Sequence, residues 1–144
     1  MKTFTLDEAQ ALLPVLESLL KRAIEAKQAA ESLQEELQEL SRRIFLSGGM
    51  RVNVADVRRR KAALDGLVQR AKDAVSEIDA IGVQVKDLET GLLDFPARLD
   101  GEVVLLCWKM GEERITHWHT LEAGFRGRQP IGDRFGRVRP DKPN

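Results

Sequence analysis

Ten apolar positions in the first third of the chain are Leu12, Leu16, Leu19, Ala23, Ala26, Ala30, Leu33, Leu37, Leu40 and Ile44, and they alternate at spacings of four and three residues. A seam that repeats every ~3.5 residues specifies a long helix that lays one narrow stripe against a partner helix. Val57, Lys61, Leu64, Val68, Ala71, Val75 and Ile78 repeat the pattern further on. Thr5 followed by Glu8 is a capping box ahead of the first segment, each side chain satisfying a backbone N–H of the other's residue. Pro14 lacks an amide hydrogen and disfavours helix at Leu13. The pattern therefore predicts a short helix over 6–13 and a long one over 14–46 that carries the proline in its first turn. Ser47-Gly48-Gly49 ends that helix, and Asn53 with Asp56 caps a second over 54–81, which stops at Gly82. Two heptad helices joined by a short glycine loop form an antiparallel hairpin. Alanines 23, 26 and 30 let the backbones approach closely, and Leu33 is expected to be buried against the middle of the second helix.

A second stripe runs along each helix, Leu13, Leu20 and Ile24 on the first and Leu67, Ala74 and Ile81 on the second. These stripes either face the C-terminal part of the chain or join a second copy in a four-helix bundle. From Gly82 the period drops to two. Val83 to Leu88 alternates, Glu89-Thr90-Gly91 is a turn, and Leu92 to Phe95 runs back, while Pro96 and Asp100-Gly101 mark a reversal. Glu102 to Met110 is the most strand-like run, and Gly111-Glu112 turns the chain into a last strand ending at His119. The fold class is α+β, with a helical hairpin over 1–81, a four-stranded antiparallel meander over 82–131 packed at the hairpin base, and an irregular tail over 132–144.

The 23 basic and 23 acidic residues cancel, but unevenly along the chain. Residues 81–124 carry four basic and eight acidic groups, whereas 125–144 carry six and two, so any electrostatic function lies in local patches. The single cysteine, Cys107, excludes an intramolecular disulfide and fits a reducing, cytoplasmic compartment. The first residues lack the apolar run of a signal peptide, and the Ala11–Leu20 run is too short to span a bilayer.

The C-terminal block resembles a family of small bacterial and archaeal proteins known only as a domain of unknown function. The residues that carry the resemblance are Gly82 to Leu88, Gly91 to Pro96, Leu106-Cys107-Trp108, Gly111-Glu112, Trp118-His119 and Gly124 to Pro130, with Glu8 to Pro14 at the start. The resemblance spans roughly residues 4–131 and implies membership of the family without implying an activity, cofactor or site residue.

Three constellations could carry chemistry. The first is a metal site. His117 and His119, two apart on a strand, share a face, and either Glu122 or Asp94 could complete the set. A two-residue turn at Gly111-Glu112 would pair Leu106 with His117 and Val104 with His119, which puts Cys107 on the other face, away from both histidines. The second is a small-ligand concavity formed by Asp94, Trp108, His119, Arg126 and Arg128. The arginines offer forks for a carboxylate or phosphate, unless one of them pairs with Asp87 or Asp94. A turn at 89–91 would itself set Asp94 opposite Lys86. The third is the hairpin tip, where Arg42, Arg43, Arg51, Arg58, Arg59, Arg60 and Lys61 make a phosphate-contacting patch, with Asp56 the acidic group opposing them nearby.

None of these is a recognisable catalytic constellation. The sequence reads as a non-enzymatic, cytoplasmic interaction protein that forms a homodimer through its helices, needs no cofactor, engages no membrane and is open to a protein partner. An RNA-backbone binder using the basic tip, and an anion or metal site near His119, are the alternatives.

Overall fold

The computed structural model describes residues 2–48, 53–132 and 135. Two helices, α1 (Leu6–Leu46) and α2 (Val54–Ile81), form the antiparallel hairpin, and a five-stranded antiparallel sheet follows. Its strands β1 (Gln84–Asp87), β2 (Leu92–Leu99), β3 (Glu102–Lys109), β4 (His117–Thr120) and β5 (Gln129–Pro130) lie side by side in chain order. The meander thus has one strand more than the sequence predicts. Among the described residues no helix is long and apolar enough to cross a membrane.

The caps act as predicted. Thr5 Oγ1 accepts from the Glu8 amide at 3.1 Å while Glu8 Oε1 accepts from the Thr5 amide at 2.8 Å. Asn53 caps α2, and Gly82 ends it in the left-handed region at φ 104°. The expected break at Pro14 does not occur, and α1 is one continuous helix. Ala9 and Leu13 before the proline, and Leu16 and Leu20 after it, are all buried in one core with the sheet. That burial on both sides outweighs the proline's cost of about 3 kcal/mol.

Pro96 is a second departure, since it lies inside β2 opposite Leu105 rather than at a reversal. The pairing of β1 ends at Asp94, so beyond it this edge of β2 faces the N-terminal segment, whose Phe4 amide donates to the Pro96 carbonyl at 2.7 Å. A proline there removes no ladder hydrogen bond. The true reversal is the two-residue Asp100-Gly101 turn, with φ of 51° and 81°, the mirror-image geometry that matches strand twist. Gly91 is needed for a different reason, because a Cβ there would lie 2.7 Å from that of Met110.

One face of the sheet meets the helices. Leu93, Phe95, Ala97 and Leu99 of β2, Val104, Leu106 and Trp108 of β3, and Trp118 of β4 share a core with Leu13, Leu16, Leu20 and Ile78. The stripe residues Leu13 and Leu20 therefore go to the sheet. Gln10 Oε1 accepts from the Ile115 amide at 2.8 Å and ties α1 to the β3–β4 connection. Further along the hairpin the seam opens. Ala23, Ala26 and Ala30 are buried, but Leu33, expected to be buried, is only half-buried, as are Leu37, Leu40 and Ile44. Most of the 132–144 tail lies outside the described residues, apart from Gly132 and Phe135, whose ring packs on Trp118 at 5.7 Å between centroids.

Candidate functional site

The face of the sheet turned away from the helices carries polar residues where solvent-facing strands usually carry exposed ones. Three of its side chains are deeply buried: Asp94, Cys107 and His119 are each 1% exposed. They sit on three adjacent strands and are brought together by register. Asp94 of β2 lies opposite Cys107 of β3, and Cys107 lies opposite His117 of β4. His119 pairs with Leu105, one step diagonal from Cys107 and on the same face.

This overturns the register expected from a two-residue turn at Gly111-Glu112. Leu106 pairs with Trp118 rather than His117, and Val104 with Thr120 rather than His119. The connection between β3 and β4 is a wider loop folded on itself. Within it, Trp108 Nε1 donates to the Glu112 carbonyl at 3.0 Å and the Lys109 amide to Glu112 Oε1 at 2.7 Å. Ile115 then dips into the core. The shift of one residue flips every side chain of β4, placing Trp118 in the core and His119 beside Cys107.

His119 bridges two acceptors. Its Nδ1 lies 2.8 Å from the Thr120 carbonyl oxygen and its Nε2 lies 3.1 Å from Asp94 Oδ1. A carbonyl can only accept, so Nδ1 carries a hydrogen, and the Nε2–Oδ1 contact then needs one further proton held between the two side chains. Asp94 Oδ2 is buried with no hydrogen-bond partner. Burial pushes the Cys107 thiol up to about 11, the Asp94 carboxylate adds to the rise, and the Arg128 guanidinium opposes it. At neutral pH Cys107 is a protonated thiol, which disqualifies it as a free nucleophile.

Asp94 lies opposite Gln84 rather than Lys86, because the β1–β2 register differs from the predicted one and shifts further between Val85 and Asp87. The arginine tail also finds a partner other than the two foreseen. Arg128 Nη2 donates to Glu112 Oε2 at 3.1 Å and its guanidinium stacks over the Phe125 ring at 4.8 Å, while Asp87 caps its own turn through Glu89 and Thr90. Arg128 Nε is buried without a partner, whereas Arg126 is exposed.

Trp108 belongs to the opposite, core face and does not line the polar cluster. His117 is half-buried and shares a hydrogen bond with Thr116 Oγ1 at 2.8 Å, and Glu122 is exposed. Among the described residues, the donor group whose ligating atoms all lie within 4.8 Å of one another is Asp94, Cys107 and His119, without His117 or Glu122. Of the predicted ligands, His119 and Asp94 are brought together while His117 and Glu122 stay out, and the group that assembles includes the cysteine that the predicted register set apart.

The hairpin tip is less bare than its sequence suggests. Glu39 pairs with Arg42 at 2.7 Å and with Arg43 at 3.4 Å, and Asp56 pairs with Arg59 at 3.3 Å and Arg60 at 3.1 Å. Glu39, five positions before Ile44 on the same helix, is a second counter-charge besides Asp56. Arg58 and Lys61 are exposed and have no ion pair among the described residues, and Arg51 lies outside them.

A helical hairpin closed by a five-stranded meander, with a buried polar cluster on the sheet's outer face, defines the class of this protein by architecture. Its sequence matches the family described as an uncharacterised conserved protein, DUF2203, over residues 2–131. The chain belongs to that family. No curated protein and no solved structure matches it.

Proposed function

We propose that the protein is a cytoplasmic, non-enzymatic interaction protein whose hairpins associate as a coiled-coil-like homodimer. One observation carries the reading: the heptad seam continues at full regularity beyond Ala30, yet in a single chain its distal half stays half-buried. Leu33, Leu37, Leu40 and Ile44 on α1, with Val57 and Leu64 on α2, remain partly open to water, and Phe45 near the tip is 83% exposed. Apolar area left in water forgoes about 25 cal/mol per Å², and a second hairpin laid against the open half recovers it. Folded into this reading, the sheet is a rigid base and the distal hairpin the working surface. The lone buried cysteine suits a reducing compartment.

Light scattering over a micromolar concentration series tests the proposal. A mass of about twice 16.2 kDa is expected, with Phe45→Glu shifting the equilibrium toward the single chain while leaving its helix content intact. A mass of 16.2 kDa at every concentration overturns it.

A further inference from the structure

We propose that Asp94, Cys107 and His119 form a site for one borderline-soft divalent cation of the zinc type, built into the outer face of the sheet. The three donors supply one oxygen, one sulfur and one nitrogen, the mixed set that such cations accept. All three are buried, and their ligating atoms lie within 4.8 Å of one another. The bonds of such a site, about 2.0–2.3 Å long, hold the ligand atoms of a tetrahedral centre roughly 3.3–3.6 Å apart. The His119 Nε2 to Asp94 Oδ1 distance of 3.1 Å is already near that spacing, and the Cys107 sulfur lies within 4.8 Å of the other two donors.

Two independent features point to a cation rather than to a self-sufficient polar cluster. Asp94 Oδ2 is buried with no hydrogen bond of ordinary geometry, an arrangement that costs free energy unless a donor or a cation satisfies it. The Cys107 thiol beside it is that donor, and a cation would take the place of its proton and hold it as a thiolate ligand. His119 Nδ1 is also anchored to the Thr120 carbonyl at 2.8 Å, the outer hydrogen bond that fixes metal-ligating imidazoles and leaves Nε2 as the donor atom. Lone pairs on Nε2 and Oδ1 then face each other, and a proton or a metal ion must lie between them.

The exchange balances. The cation takes the place of the proton shared by Asp94 and His119 and of the Cys107 thiol proton, both of which pass to solvent. A carboxylate, a thiolate and a neutral imidazole cancel the two positive charges, so the buried site stays neutral. The fourth position of a tetrahedral centre is left to water. The site does not depend on the self-association proposed above, since every ligand comes from one sheet.

The test titrates the untagged chain, stripped with a chelator, with Co²⁺ alone and then with Zn²⁺. The site predicts saturation at one equivalent per chain, a near-ultraviolet thiolate-to-cobalt band, and displacement of cobalt by zinc. Outer-shell changes weaken metal sites by 10–100-fold, so losing a ligand weakens binding by at least about tenfold. Cys107→Ser should abolish the near-ultraviolet band, and His119→Ala and Asp94→Asn should weaken binding to at least that degree. His117→Ala should change nothing. Far-ultraviolet dichroism shows whether each variant is folded, and the wild-type titration decides even where one is not. Absence of saturable binding at micromolar Co²⁺ and Zn²⁺ overturns the proposal, as does an unchanged spectrum in folded Cys107→Ser or binding lost with His117→Ala.

Discussion

Leu16→Ala tests whether helices and sheet share one core. Leu16 is fully buried in the first third of α1 and belongs to the same cluster as Leu93, Phe95 and Leu106 of the sheet and Ile78 of α2. The substitution removes three carbon groups and leaves a cavity walled on one side by paired strands and on the other by the hairpin. Buried leucine-to-alanine changes cost about 2.7–5.0 kcal/mol, more where the walls cannot collapse, and rigid walls on two sides put this one at about 4 kcal/mol. Leu37→Ala, measured at a concentration low enough to keep the chain a monomer, is the control, because in the single chain Leu37 is only half-buried in the open seam, and its cost should be about half as large or less. Urea unfolding read by two probes separates the elements. Far-ultraviolet dichroism follows the 41 and 28 residues of the two helices, while fluorescence follows Trp108 and Trp118, both in the sheet. Both transitions should move together to lower urea in Leu16→Ala. A dichroism transition that moves alone, or a Leu37→Ala cost as large as that of Leu16→Ala in the monomer, would show that helices and sheet do not share one core.

Further outcomes follow from the ionisable groups. In metal-free protein at pH 8, iodoacetamide should leave Cys107 unmodified in the native state and alkylate it on unfolding, because the thiol is 1% exposed and pushed up to about 11; rapid native labelling would contradict its burial. The Glu8 carboxyl is held below its ordinary range by its hydrogen bond with the Thr5 backbone. Its stabilising contribution is complete above the unfolded-state value, near 4.5, and is lost as pH falls through the lower folded value. Glu8→Ala should therefore flatten the acid side of a stability-against-pH curve measured by thermal melting, and an unchanged acid limb would refute a working capping box.

The helices were legible because their signals are local and repeated. The predicted second helix, 54–81, coincides with α2, and the predicted end at residue 46 coincides with that of α1. At Pro14 a local penalty is legible in the sequence, but the core that Ala9 and Leu13 join, which overrides it, is not. The polar cluster was not legible, although Asp94 and His119 each stood out as candidates. Its assembly depends on the parity of β4, set by a loop whose fold rests on non-local contacts such as that between Gln10 and Ile115. One signal could have found it. With a two-residue turn Trp118 would share a face with Cys107, whereas the apolar pattern asks it to join Leu106 and Trp108. Requiring Trp118 in the core shifts β4 by one residue and carries His119 to Cys107. At the tip Asp56 alone is counted against the arginines from the sequence, whereas Glu39, three and four residues before Arg42 and Arg43 on the same helix, also stands within ion-pair reach of them.

The convergence of Asp94, Cys107 and His119 on the outer face of the sheet is tested most directly by anomalous diffraction at the zinc edge, from crystals of the untagged protein grown with zinc. The account predicts one peak per chain, about 2.0–2.3 Å from a carboxylate oxygen of Asp94, Sγ of Cys107 and Nε2 of His119. A peak on His117 and Glu122 instead, or Cys107 and His119 on opposite faces of the sheet in the refined strands, would contradict it.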